Sequence, residues 1–453
     1  MRRGFVAATL SLVIAASLAV SGRASAAAPG ELVEKALILF DGDTEERGEA
    51  IAFFAERGNP DAAAPLILAL RFTTDPRIGE VLAALTGDTT RQSWADWMLW
   101  QEVHDEVVPF EGFDEVHAQV HARIDPDFQL FLRGGPDREI RTEEIVWGGV
   151  RKDGIPALTY PRFLAPDAAG YLDDDDLVFG VEINGDARAY PLRILDWHEM
   201  FNDVIGGVPV SLAYCTLCGS GIFYQTTVAS FPQPLIFGSS GFLYRSNKLM
   251  YDTYTNSLWN QFTGRPVVGP LTGSGITLKT RPVVIARWAD WLRDHPDTRV
   301  LDIDTGYPRD YSTGAAYSEY FASPDLMFPV AVDQSKLKQK SYVFALRSAP
   351  IEKAWPLEQF EGGAVINDTA GVLSLVLIGD AATRTVRAYR SDGLTFAKGD
   401  SRDAVTHDGE VWRITEDALV GPDGRSLARL PGHIAYWFAW DNYFGESGQV
   451  GGP

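Results

Sequence analysis

The chain has 453 residues, 45% of them hydrophobic, with two cysteines and a formal net charge of -21. So acidic a chain is not expected to bind nucleic acid or an anionic membrane surface, and two cysteines cannot make a disulfide scaffold. The length exceeds one ordinary domain, so two or three are expected.

At the N-terminus, "MRRGFVAATLSLVIAASLAVSGRASA" sets Arg2 and Arg3 before an apolar run and ends on Ala24-Ser25-Ala26. That order of charge, apolar run and small residues predicts a secretory signal peptide over 1–26, and hence a periplasmic or secreted product. No later stretch is apolar for long enough to span a bilayer.

From 27 to 136 the pattern is helical. "NPDAAAPLILALR" and "DPRIGEVLAALTG" begin sixteen residues apart, at Asn59 and Asp75, each with Pro in the next position. An Asn or Asp N-cap followed by Pro is a helix start, and Gly87 supplies a helix stop. Short capped helices in series resemble HEAT-type hairpins, with an ordinary bundle as the alternative. Either would offer a docking surface for a protein partner. His117 and His121 lie four apart on a probable helix, but "HAQVH" lacks the glutamate of a zinc-protease motif. A solvated face is expected there.

After Asp137 strand-like runs alternate with Gly, Pro and Asn, which predicts a mainly β region. "AYPLRILDWHEMFNDVIGG" returns 165 residues later as "AWPLEQFEGGAVINDTAGV", with Asn202-Asp203 against Asn367-Asp368. Further on, Trp259 matches Trp412, and Trp288 and Trp291 match Trp437 and Trp440. The expected fold is therefore α+β and multidomain: an all-α region, then a β domain made of two related units. The units lie within 137–340 and 341–453, and matched stretches run over about 177–295 and 342–442. Shared features are architectural, whereas single-copy features are free to carry function. At the same offset Asp380 stands opposite Cys215, Thr383 opposite Cys218 and Gly363 opposite His198. Any thiol–imidazole chemistry belongs to the first unit.

"GVEINGDARAYPLRILDWHEMFNDVIGGVPVSLAYCTLCGSGIFY" and "MYDTYTNSLWNQFTGRPVVGPLTG" together resemble the bacterial domain of unknown function 3179. The likeness runs from about Trp147 to Tyr311 and more weakly through the second unit. Trp197-His198-Glu199 and Tyr214-Cys215-x-x-Cys218 match the family's pattern, with Thr216 where members usually have Pro. The resemblance implies an architecture and a motif set, not a reaction.

Cys215 and Cys218 follow an apolar strand and precede a Gly-rich turn, the arrangement of a metal knuckle. His198 is the candidate third ligand, with Asp196, Glu199 or His295 as a further ligand or supporting partner, and copper or zinc as the metal. The same pair reads equally as a redox dithiol or as a disulfide bracing the loop. Arg245, Asn247, Asp252 and Gln261 either line a polar pocket beside the loop or satisfy buried backbone groups. Two functions therefore stand: a metal-dependent site, with oxidoreductase chemistry as one form of it, or a non-catalytic binding or scaffold protein whose cysteines form a structural or redox disulfide.

Overall fold

The computed structural model describes residues 28–348, 351–445 and 448–451. The predicted signal peptide lies outside the described residues.

Local sequence sets the helical region. Asp43 and Glu46 form a capping box at the start of Thr44–Arg57, and that helix stops at Gly58 in the left-handed conformation. Asn59 and Asp75 each accept the amide two residues on, and Gly87 closes Pro76–Thr86 at φ 77°. Leu39, Phe54, Leu66, Leu82 and Trp97 share one buried core.

Helices and β region are joined by buried contacts. Arg71 donates to the Trp147 carbonyl at 3.0 Å and lies over the Trp94 ring. His117 and His121 sit in this joint and are buried, which corrects the solvated face expected for them. His117 Nε2 meets the Ile145 carbonyl at 3.1 Å, and His121 Nδ1 meets the His117 carbonyl at 2.8 Å. Burial holds both imidazoles below their ordinary pKa, to about 4 for His117. Four-residue spacing put both on one helix face, but the sequence did not show which face packs on the sheet.

The β region shows one element order twice. In 177–301 a hairpin of Leu177–Ile183 and Asp186–Pro191 leads into the helix Leu192–His198. A meander of Met200–Ile205, Val208–Cys215 and Ser220–Gln225 follows. After five further strands, Val284–Arg287 returns to pair with the first strand and turns into the helix Trp288–Asp294. In 342–450 a hairpin of Tyr342–Ser348 and Ile351–Pro356 leads into a short 3₁₀ turn. Then come the meander Ala364–Ala370, Leu373–Asp380 and Thr385–Arg390, the returning strand Gly432–Tyr436 and the helix Trp437–Phe444. Each order closes with a strand parallel to the second strand of its hairpin.

Side chains repeat the correspondence. Asn202 bonds both the amide and the carbonyl of Phe237 at 2.9 Å, and Asn367 does the same to Phe396 at 2.8 Å. Asp203 accepts from the Tyr190 hydroxyl and Asp368 from the Trp355 indole, at 2.6 and 2.7 Å. Phe237 meets Trp259 edge-on, and Phe396 meets Trp412 likewise, both at 5.3 Å.

These asparagines hold strands to a following segment through backbone groups that have no ladder partner. Asn202→Ala should lower unfolding free energy by roughly 2–4 kcal/mol, because two buried backbone groups lose their partner. Asn367→Ala should cost less, since Asn367 is exposed and water can replace it. Urea midpoints at unchanged m-value measure both, and equal losses would count against this burial argument.

Candidate functional site

The cysteine loop joins the strands Val208–Cys215 and Ser220–Gln225, whose register pairs Cys215 with Ser220. Its turn is tied by the Cys218 amide on the Cys215 carbonyl at 3.1 Å. Gly219 has φ 59°, and a Cβ there would press to 3.1–3.2 Å on the Tyr342 and Tyr436 rings. Both the conformation and the close approach require glycine.

Cys215 and Cys218 form a disulfide, with their Cα atoms 5.2 Å apart. The pair is buried, Cys215 being 3% exposed and Cys218 0%. Around Cys218 the contacts are polar. Asn247 Nδ2 points at its sulfur from 3.2 Å, and the Ser246 carbonyl lies 3.3 Å from the same atom. Gln261 positions Asn247 at 2.9 Å and is itself anchored on the carbonyls of Ala213 and Ser220.

Two buried polar atoms beside the disulfide, Thr216 Oγ1 and Asn247 Oδ1, have no hydrogen-bond partner among the described residues. Such orphans are uncommon in folded proteins. The neighbouring backbone is also strained. Arg245 and Ser246 have φ 48° and 57°, and Glu199 and Tyr317 have φ 55° and 56°, all without being glycine. Strain of this kind collects at working sites more than at passive braces.

A cover lies over the loop. Tyr320, on the short helix Ser318–Ala322, donates its hydroxyl to the Leu217 carbonyl at 2.7 Å. Phe328 and Val330 pack into the same core as both cysteines. Lys340 donates to the Ser323 carbonyl at 2.7 Å and lies over the Tyr320 ring.

His198 does not join this group. Its Nδ1 faces the Pro156 carbonyl at 2.8 Å and its Nε2 the Tyr311 hydroxyl at 2.6 Å. A carbonyl only accepts, so Nδ1 carries the proton and Nε2 accepts from Tyr311. The Tyr311 oxygen in turn accepts a hydrogen bond from the Thr305 hydroxyl, at 2.6 Å. Burial lowers the pKa of His198, in keeping with this neutral form. Both ring nitrogens are committed, and among the described residues no group of three or more His, Cys, Asp or Glu gathers to hold a metal ion. The hollow beside Thr305, about 590 Å³, is lined by Tyr160, Arg162, Asp302, Asp304 and Tyr307 among others.

The other candidates separate. Glu199 forms a buried ion pair with Lys248 at 2.7 Å. His295 lies on the Trp291 ring, 3.5 Å from Glu182, and joins no cysteine cluster. Arg245 pairs with Glu144 at 2.7 Å. Asp252 organises its own turn and accepts the Trp259 indole at 2.8 Å. Of the four proposed pocket residues, Asn247 contacts the Cys218 sulfur and Gln261 supports Asn247 from behind. Ser246, Tyr320 and Tyr436 were not foreseen. Ser246 and Asn247 sit in one hairpin turn, whereas Tyr320 and Tyr436 arrive from sequence-distant segments that carry no motif.

Asp196 receives the Tyr214 hydroxyl at 3.1 Å. Burial pushes its carboxyl up to about 7, against the opposing effects of that hydrogen bond and Arg384, while Glu199 adds to the rise. The folded pKa is raised above the unfolded value, so ionised Asp196 weakens the fold increasingly as pH climbs from about 4 to about 7. Asp196→Asn should therefore gain stability over the parent protein across that range and level off above it. The gain should be on the order of 2 kcal/mol, allowing for partial solvent access. Thermal melts of both proteins at pH 4.5 and 8 read the difference, and a gain independent of pH would refute the assignment.

A family model described as "Protein of unknown function (DUF3179)" matches residues 152–447. No curated protein and no solved structure matches the chain.

Proposed function

Because the chain belongs to the DUF3179 family, whose description assigns no activity, we propose a function from the geometry alone: a thiol–disulfide redox protein centred on Cys215 and Cys218. The observation that carries this reading is the buried amide of Asn247 aimed at the Cys218 sulfur, backed by Gln261. A disulfide that only braces a loop gains little from such a donor. A Cys218 thiolate gains much, because a hydrogen bond to the charged form lowers its pKa. The Ser246 carbonyl supplies the complementary acceptor for the protonated thiol. Each state of the sulfur has a partner waiting.

The chemistry follows from which sulfur is supported. The thiolate of a partner dithiol attacks Cys215 Sγ and forms a mixed disulfide. The Cys215–Cys218 bond breaks, and its electron pair leaves on Cys218, held by Asn247 Nδ2. The partner's second thiolate then attacks its own sulfur in the mixed disulfide and expels Cys215 as thiolate. The partner is oxidised, and the protons from its two thiols end on Cys215 and Cys218. Approach requires the Tyr320 segment to move off the Leu217 carbonyl, so access is gated rather than open.

An exported location suits this reading, since disulfides persist in oxidising compartments. Among the described residues no helix is long and apolar enough to cross a membrane. The first unit carries the chemistry, while the helical region offers a surface for a protein partner. The repeated element order supports reading the two β units, near 137–340 and 341–453, as copies of one ancestral unit. In the reduced state the two thiols are also the donors open to copper or zinc, without His198.

Equilibration of the native protein with glutathione or dithiothreitol buffers gives the reduction potential. A redox centre should titrate within the range of exchange proteins, above about -300 mV, where structural disulfides do not. Asn247→Ala should shift the potential about 20–30 mV more negative, the equivalent of one lost hydrogen bond to the thiolate. A pair that resists reduction until the protein unfolds would leave the scaffold alternative, with a bracing disulfide, in its place.

A further inference from the structure

The second unit carries a cavity of about 240 Å³ where the first unit has its cysteines. Its wall includes Gly363, Asp380 and Thr383, the residues that stand opposite His198, Cys215 and Cys218 at the 165-residue offset. In the first unit this place is filled: the disulfide, Leu217 and the rings of Tyr320 and Tyr436 close it. In the second unit Gly362 and Gly363, at φ 70° and 79°, carry no side chain into it. The helix Trp288–Asp294 of the first unit forms its rim through Asp290.

The charges around this cavity are unequal in their commitments. Arg287 and Arg402 are both tied to Asp290, and Arg387 is tied to Glu416 at 2.6 Å. Lys398 is different. Its ammonium lies 3.3 and 3.4 Å from the carbonyls of Gly362 and Gly363, and among the described residues no carboxylate pairs with it. Asp380 is its converse. One carboxylate oxygen accepts the Ala382 amide at 2.9 Å, and among the described residues no cation pairs with the group. The two charges border one cavity without meeting each other. The wall also carries Val365, Ile378 and Ile414, each only partly buried, next to the hydroxyl residues Thr383, Thr385 and Ser401.

We propose that this cavity binds a small zwitterion of the α-amino-acid class with an apolar side chain. The ligand carboxylate meets Lys398, its ammonium meets Asp380, and its side chain lies on Val365, Ile378 and Ile414. A free anion would leave Asp380 facing it unneutralised, and a free amine would do the same to Lys398. Only a ligand bearing both charges satisfies both groups, and a pocket of this kind fixes orientation by a few polar contacts on an apolar wall. The site is independent of the thiol chemistry in the first unit.

The test uses calorimetric titration of the full-length protein with leucine, 4-methylpentanoate, isopentylamine and inorganic phosphate. Leucine should bind, with the acid and the amine each weaker by about 10–100-fold, the loss expected for one charge-assisted contact. Lys398→Met and Asp380→Asn should each weaken leucine by a similar factor. Asn at 380 retains the capping of the following turn, and Lys398 is exposed, so both variants should keep the parent's near-ultraviolet circular dichroism. No leucine binding at millimolar concentration would overturn the proposal. So would 4-methylpentanoate or phosphate binding as tightly as leucine, which would mark a simple anion site, or variants that bind leucine unchanged.

Discussion

The Tyr436 amide donates to the Cys218 carbonyl at 2.8 Å, and through that bond the last helix of the second unit is seated on the cysteine loop of the first. The relation is reciprocal. The returning strand Gly432–Tyr436 lies against Ser220–Gln225, while Val284–Arg287 of the first unit lies against Thr385–Arg390 of the second. Each unit therefore closes the meander of the other. One core runs through both as a consequence, with Phe179, Tyr214 and Phe223 beside Phe344, Trp355 and Leu377.

That mutual closure explains how a disulfide at the end of an edge loop comes to be buried. It also sets the terms on which polar groups can sit there. A disulfide between residues three apart closes a very short loop, worth about 2 kcal/mol in the chain-entropy description. Against that stand two orphaned polar atoms, at about 1–3 kcal/mol each, and four non-glycine residues in the left-handed region, each costing a comparable amount. The Asn247 amide and the Ser246 carbonyl both meet the Cys218 sulfur in this setting.

Much of the scaffold was legible in the sequence because it is written in local physics. Asn59, Asp75 and Gly87 cap helices where Asx–Pro and glycine rules put them. The Asn-Asp repeat was visible because the same backbone groups must be satisfied in both units, and only those side chains reach them. The site was legible in part. Cys215 and Cys218 meet because three-residue spacing in a tight turn forces it. His198 was placed near them on the ground that it shares their absence from the second unit, yet shared absence fixes no distance. Its ring turns instead toward Pro156 and Tyr311, groups that lie 42 and 113 residues away in the chain. Burial of His117 and His121 was hidden for a similar reason, since the sheet that covers them begins beyond the helix that carries them.

Copies of one architecture need not keep one chemistry, and the physical reason is visible in what the framework requires. The Asn brackets, the aspartates under Tyr190 and Trp355 and the paired tryptophans are bound to buried backbone or core, so altering them costs stability in either unit. The residues at the end of the meander make different contacts in the two units: Leu217 meets Tyr320 and Cys218 meets Asn247 and Tyr436 in the first, while Asp380 accepts the Ala382 amide in the second. There the first unit presents a disulfide under a tyrosine cover, and the second presents glycine, Asp380 and Thr383 beside an open space. With closure supplied across the boundary, the loop end can be filled in one unit and open in the other while the shared framework stays the same.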